Sequence, residues 1–187
     1  MIAVAQINLE NKVIPESIKE KALIALSHYP ELKDTAIEFR FKDKIRKSTM
    51  QAQPTYASFL TSRKNRSYII LISRKIQIED ESFTVSDIPS DVLIGWLGHE
   101  LGHVMDYRGR SGIGMIIFGL KYLFSGSHIK EVERAADTYA IEHGMGEYIL
   151  KTKNFVLDNA SFSERYKEKL RKLYMSPEEV MQLIESD

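Results

Sequence analysis

The first readable rhythm in the chain is helical. Pro15 can open a helix over 15–27, and Ile18, Ala22, Leu23, Ala25 and Leu26 recur at the spacing that gathers apolar side chains on one face. The period then shortens to two. In 35–41, Ile37, Phe39 and Phe41 alternate with polar and charged residues, which predicts a half-buried strand. Two further strands are predicted at 56–62 (YASFLTS) and 68–73 (YIILIS), joined through a turn at 64–67 (KNRS), with a short extended piece at 76–78. From Asp87 onward the pattern is helical. The cluster SDIPSDVL is a helix start and Gly109, just past Tyr107, a stop. Further helices are predicted at 128–143, 147–157, 162–174 and 177–185. Ser161 with Glu164, and Ser176 with Glu179, each fit a capping box, and Pro177 occupies a first helical position. A sheet followed by helices predicts the α+β class. With no internal repeat and no low-complexity linker, the expected organisation is one domain over 1–160, with 161–187 a helical extension packed on it.

Composition narrows the class without naming a function. The 187 residues are 43% hydrophobic and 28% charged, a balance that favours neither disorder nor multiple membrane spans. Lys plus Arg equals Asp plus Glu at 26 each, so no net field draws the chain to nucleic acid, and no nucleic-acid partner is expected. The run Lys42, Lys44, Arg46 and Lys47 reads as a solvated loop. There are no cysteines, which excludes disulfides and cysteine nucleophiles and leaves histidine and carboxylate as the strong zinc ligands. The opening MIAVAQINLENK lacks the basic start, apolar stretch and cleavage pattern of a signal peptide, so a cytoplasmic location is expected.

One run concentrates the candidate chemistry. In IGWLGHELGHVMDY, at 94–107, His99, Glu100 and His103 interrupt an otherwise largely apolar surface. Val92, Leu93, Ile94, Trp96, Leu97, Leu101, Val104 and Met105 cover most of the helix circumference, which predicts a buried helix. Buried polar groups left unpaired cost about 1–3 kcal/mol each, and more when charged. Residues four apart share a helical face, so both imidazoles can bind one ion while Glu100 lies beside them without ligating. That is the arrangement of a zinc hydrolase: the metal lowers the pKa of a water towards ~7 and the neighbouring carboxylate removes its proton. Gly98 and Gly102 lower helix propensity by about 1 kcal/mol each and predict close approach of another backbone. A catalytic zinc needs a third protein ligand, and KEVERAADTYA offers Glu131 and Glu133. Glu133 shares its face with Asp137, whereas Glu131 shares its face with Ala135. Glu133 is therefore the expected ligand, with Asp137 accepting the free N–H of a ligating histidine.

HELGH followed thirty positions later by the ExxxD of residues 133–137 resembles the gluzincin zinc metallopeptidases, especially the group of heat-shock-type membrane peptidases and CAAX-prenyl proteases. TYASFL, YIILISRKI, SDIPSDVLIGWLGHELGH and ERAADTYA follow the ordered blocks of that group, over 54–144, about half the chain. The resemblance implies a zincin-like domain binding one zinc ion on His99, His103 and Glu133, with Glu100 as general base in an endopeptidase. It also implies a peptide or protein substrate held antiparallel to a sheet edge, for which 56–62 is the first choice and 68–73 the second. A His or Tyr beyond the glutamate ligand usually stabilises the transition state in such enzymes; His143 and Tyr139 are the candidates here, although both point away from the ligand face. The long transmembrane helices of the membrane-embedded members are absent. Two alternatives remain: a catalytically silent or latent zincin-like binding protein, and a regulatory protease for one intracellular partner, which resembles another intracellular gluzincin group.

The stretch 112–126, GIGMIIFGLKYLFSG, is apolar apart from Lys121 and Ser125. As a helix it spans about 22 Å, short of a ~30 Å hydrocarbon core. It is either buried between the two candidate zinc-binding helices or exposed as a peripheral membrane contact, aided by Arg108 and Arg110, which would make the protein membrane-associated.

Overall fold

The computed structural model describes residues 9–43, 45, 48–58, 61–78, 81–159 and 162–186. The fold is α+β, mostly helical with a small mixed sheet. Strands β1 (Lys12–Val13), β2 (Ile37–Lys42), β3 (Met50–Pro54) and β4 (Tyr68–Ser73) stand in the order β1-β2-β4-β3. β1 and β4 run parallel to β2, and β3 runs antiparallel to β4. Alternation in β2 is what it predicts: Ile37 and Phe39 point into the core while Arg40 hydrogen bonds to Glu38 outside. β4, with strands on both sides, is buried almost throughout, as its continuous apolar run requires. A separate hairpin pairs β5 (Lys75–Ile78) with β6 (Glu81–Thr84).

The partner of β4 is not the predicted segment 56–62. Tyr56–Ser58 forms a 3-10 turn, Tyr56 is 94% exposed, and residues 59–60 lie outside the described residues. Hydroxyls explain the turn: Thr55 and Ser58 bond to each other and to Ser67, and Thr61 donates to the Ser58 carbonyl, so local side-chain bonds take the place of a strand ladder. The edge strand is instead β3, MQAQP, in which Met50 and Ala52 are buried and Gln51 points outward. The alternative edge, 68–73, is an inner strand.

The helices enclose one apolar cluster with the sheet. A 3-10 turn at Glu16–Ile18 leads into α1 (Lys19–Ser27). α2 (Ser90–Gly109) is the central element, packing on α1, on β3, on α4 (Gly126–Ala140) and on α5 (Gly146–Asp158). Between α4 and α5 the chain passes a π-helical turn, Ile141–Met145, where Gly144 adopts φ 73°, a conformation that needs no Cβ. Three glycines shape the α2 surface. A Cβ at Gly95 would strike the Tyr148 carbonyl and Thr152 of α5; at Gly98 it would strike the Met145 side chain; at Gly102 it would strike the Ala136 carbonyl oxygen of α4. Close backbone approach is thus present at Gly102 and Gly95, whereas Gly98 accommodates a side chain.

The apolar insert forms α3 (Gly112–Phe124), N-capped by Ser111, and divides between the two predicted placements. Met115 and Phe118 are buried, the latter against Tyr107 and beneath the Arg110 guanidinium, while Ile113, Ile116 and Ile117 are exposed. Among the described residues no helix is long and apolar enough to cross a membrane.

At the C-terminus, α6 (Glu164–Leu173) is capped by Ser163; the predicted cap at Ser161 lies outside the described residues, as do Lys44, Arg46 and Lys47 of the basic run. α7 (Pro177–Ser186) starts with the predicted capping box, Ser176 N–H to Glu179 at 2.8 Å and Glu179 N–H to Ser176 Oγ at 3.2 Å. Glu179 also accepts two bonds from Arg134 of α4, at 2.6 and 3.0 Å. Phe162, Met175 and Val180 join the main apolar cluster.

Gly102→Ala forces α2 and α4 apart and lowers unfolding free energy in urea by about 1–3 kcal/mol. Gly109→Ala, with open space around the added methyl, changes it by less than about 0.5 kcal/mol. Hydrogen bonds from Arg134 and then from the Ser176 N–H hold Glu179 down to about 2, below its ordinary 4.5. A lowered folded-state value means stabilisation that is full above about pH 4.5 and lost as pH falls towards 2. A fluorophore on Met181→Cys, unique in a cysteine-free chain, should lose anisotropy across that window, and at neutral pH already in Glu179→Ala.

Candidate metal centre

α2 presents His99 and His103 on one face, their rings 4.7 Å apart and nearly perpendicular. α4, drawn against Gly102, carries Glu133, Ala136, Asp137 and Ala140 on its inward face, all buried. Ala136 makes the backbone contact, and the carboxylates on either side reach the histidines. One ligand atom from each of His99, His103 and Glu133 lies within 4.8 Å of the others. His99 Nε2 is 3.1 Å from Glu133 Oε2, and His103 Nε2 is 3.6 Å from the same oxygen. Tetrahedral zinc bonds of about 2.0–2.2 Å place their ligand atoms roughly 3.3–3.5 Å apart, and these two separations lie within a few tenths of an ångström of that. The donor set also fits: two imidazole nitrogens and a carboxylate oxygen, with no sulfur. Glu131, the other glutamate of the run, is exposed and faces His128.

The second contact of each ligand is distinct. Asp137, 1% exposed, takes His99 Nδ1 at 2.9 Å, Lys153 Nζ at 2.7 Å and the Met175 N–H at 3.4 Å. An acceptor at Nδ1 assigns the proton to that nitrogen and turns Nε2 towards the other two side chains. Burial opposes protonation of His99, but the hydrogen bonds to Asp137 and Glu133 outweigh it and raise its pKa to about 10. A proton on Nε2 then lies between His99 and Glu133, where a cation would sit, and metal uptake would displace it. Burial likewise opposes ionisation of Asp137, yet the Lys153 charge and the His99 bond bring it down to about 2. Glu133 is held well below the ordinary carboxylate range, its burial outweighed by the two histidines. His103 has no such partner: its Nδ1 is buried with no hydrogen bond among the described residues, and its ring stacks on Tyr107. His103 Nε2, 3.6 Å from Glu133 Oε2 and too far to bond it, is the nitrogen open to a cation, while Nδ1 would keep the ring proton.

Glu100 lies beside the group, outside the ligand set. Its Oε2 accepts the Ala52 N–H of β3 at 2.6 Å, and burial raises its pKa. The ladder explains that contact: Ser73 N–H bonds to Thr49 O and Thr55 N–H to Ser67 O, so 49, 51, 53 and 55 turn their backbone groups to β4 and Met50, Ala52 and Pro54 turn theirs outward.

Two side chains at the site carry no signal in the HELGH and ERAAD blocks. Tyr174, in the link between α6 and α7, brings its ring to 5.8 Å from that of His99. Burial, then Glu133, Asp137 and Glu100, raises its pKa well above the ordinary phenol value, so the hydroxyl keeps its proton. Lys153 of α5 reaches Asp137 and also stands 4.7 Å from the centre of the Tyr174 ring. By contrast, His143 and Tyr139 are not brought to the group. His143 stacks on Tyr29, faces Glu31 with Nε2 and contacts the Tyr139 carbonyl with Nδ1. Tyr139 follows Glu133 by six residues on α4, about 240° around the helix. Comparison with protein-family models, curated proteins and solved structures returned no match for this chain.

Proposed function

We propose that the chain is a zinc-dependent endopeptidase of gluzincin type, built on a zincin-like core. The observation that carries this reading is the convergence of His99, His103 and Glu133 within 4.8 Å, with a buried carboxylate, Glu100, beside them. A zinc ion held by the three would act as a Lewis acid and lower the pKa of a water towards ~7. Glu100 takes the proton from the attacking water and delivers it to the leaving amine; burial raises its pKa towards the range useful for both transfers. Tyr174, a neutral phenol beside His99, donates a hydrogen bond to the oxygen that gains charge as the peptide carbonyl is attacked. The edge strand β3 offers outward backbone groups to an extended peptide, with the Ala52 N–H binding Glu100 itself.

Protein prepared in zinc-containing medium should carry one ion per chain, read by elemental analysis, and cleave peptides of a library read by mass spectrometry. Glu100→Gln retains the ion and loses about 10²–10⁴-fold in kcat. His103→Ala loses both the ion and the activity. Tyr174→Phe retains the ion and loses about 10²-fold in kcat. A correctly folded wild-type chain that takes up no stoichiometric transition metal overturns the reading.

A further inference from the structure

We propose that Lys153 is a positioning residue of this site, one ammonium that orients both the Asp137 carboxylate against His99 and the Tyr174 ring beside it; the inference rests on the metallopeptidase reading above. Lys153 belongs to α5, whose course across α2 is set at Gly95, where Thr152, the preceding residue, would meet any added methyl. Its side chain is 13% exposed, so the charge has left most of its water. It recovers that cost from two groups on different elements: Asp137 Oδ2 on α4 and the face of Tyr174 after α6.

The two oxygens of Asp137 are divided. Oδ1 accepts from His99, while Oδ2 takes Lys153 and the long 3.4 Å contact from Met175 N–H. Removing the ammonium leaves Oδ2 with the weaker contact alone and frees the carboxylate to turn away from Nδ1, so His99 loses its fixed orientation. The same change removes the ammonium that stands 4.7 Å from the centre of the Tyr174 ring, itself 5.8 Å from the His99 ring. Charge points the same way. Glu100, Glu133 and Asp137 are three buried carboxylates, and among the described residues Lys153 is the one lysine or arginine hydrogen bonded to any of them. With one divalent cation it makes three positive charges for three negative ones.

A tether between α4 and α5 would need only the Asp137 contact and would act on stability; buried ion pairs contribute little net stability in any case. A positioning residue acts on turnover and on the metal's surroundings. The test uses the full chain loaded with zinc for kinetics and with cobalt(II) for visible absorption. Lys153→Met should lower kcat about 10–100-fold, leave KM within about twofold, and alter the cobalt bands. Lys153→Arg, which keeps the charge and the donors, should return kcat to within about fivefold of wild type and restore the bands. In a Tyr174→Phe background, Lys153→Met should cost less than it does in wild type, because part of its effect runs through the hydroxyl. Lys153→Gln provides a second variant, keeping a donor for Oδ2 without the cation, and should fall between Met and Arg, at least about fivefold below wild type in kcat. A kcat within threefold of wild type in Lys153→Met or in Lys153→Gln, an arginine variant no better than the methionine one, or cobalt bands unchanged in Lys153→Met each overturns the inference alone. Wild-type protein that binds neither zinc nor cobalt takes down the metallopeptidase reading and this inference together.

Discussion

The closeness of α2 and α4 at Gly102 is the constraint on which the site depends. Where Gly102 faces the Ala136 carbonyl oxygen there is no room for a single methyl group. Glycine in a helix interior lowers its stability by about 1 kcal/mol relative to alanine, and α2 carries three such residues on its packed surface, Gly95, Gly98 and Gly102. Burial of the inward face of α4 offsets that loss. Because Ala136 is the point of contact, Glu133 one turn before it and Asp137 immediately after it are delivered to opposite nitrogens of the same imidazole, at 3.1 and 2.9 Å. Shape and chemistry are therefore one arrangement at this interface.

Such an interface concentrates charge where charge is expensive. Glu100, Glu133 and Asp137 are each less than a tenth exposed. Burial pushes all three towards the neutral form, and for Glu133 and Asp137 cationic neighbours reverse the balance. Glu100 has only partial compensation, a backbone N–H and the more distant histidines, and its pKa rises. Neighbouring buried carboxylates are thus driven in opposite directions, Glu133 and Asp137 towards the anion and Glu100 towards its protonated form. That division is the one the proposed zinc peptidase would use, with Glu133 and Asp137 to hold and orient the ion and Glu100 to move a proton.

The group is also a meeting point of elements distant in the chain. β3 binds Glu100 through Ala52, α5 sends Lys153, and the α6–α7 link sends Tyr174 and the Met175 N–H. The Arg134–Glu179 pair and the capping box at Ser176 fasten α7 beside that link. The C-terminal helices therefore form part of the wall around His99.

Helical periodicity over one or two turns is legible from residue spacing alone. His99 and His103 share a face because they are four apart, Glu133 and Asp137 for the same reason, and the Ser176–Glu179 box closes because its two bonds span three residues. The alternation of Ile37, Phe39 and Phe41 and the apolar run of 68–73 are equally local, and both are strands. Tertiary structure alone decided the rest. MQAQP has weak strand propensity, so β3 exists because β4 offers a ladder and the core takes Met50 and Ala52, whereas Tyr56–Ser58, in a more strand-like stretch, is held in a turn by the hydroxyls of Thr55, Ser58 and Ser67. The apolar α3 divided its faces according to what Tyr107 and Arg110 provide. Lys153 and Tyr174 follow no spacing from HELGH. Their places come from the course of the chain after the π-helical turn at Gly144, and from the packing of α5 on Gly95 and of α6 on α4, long-range contacts that no local period encodes.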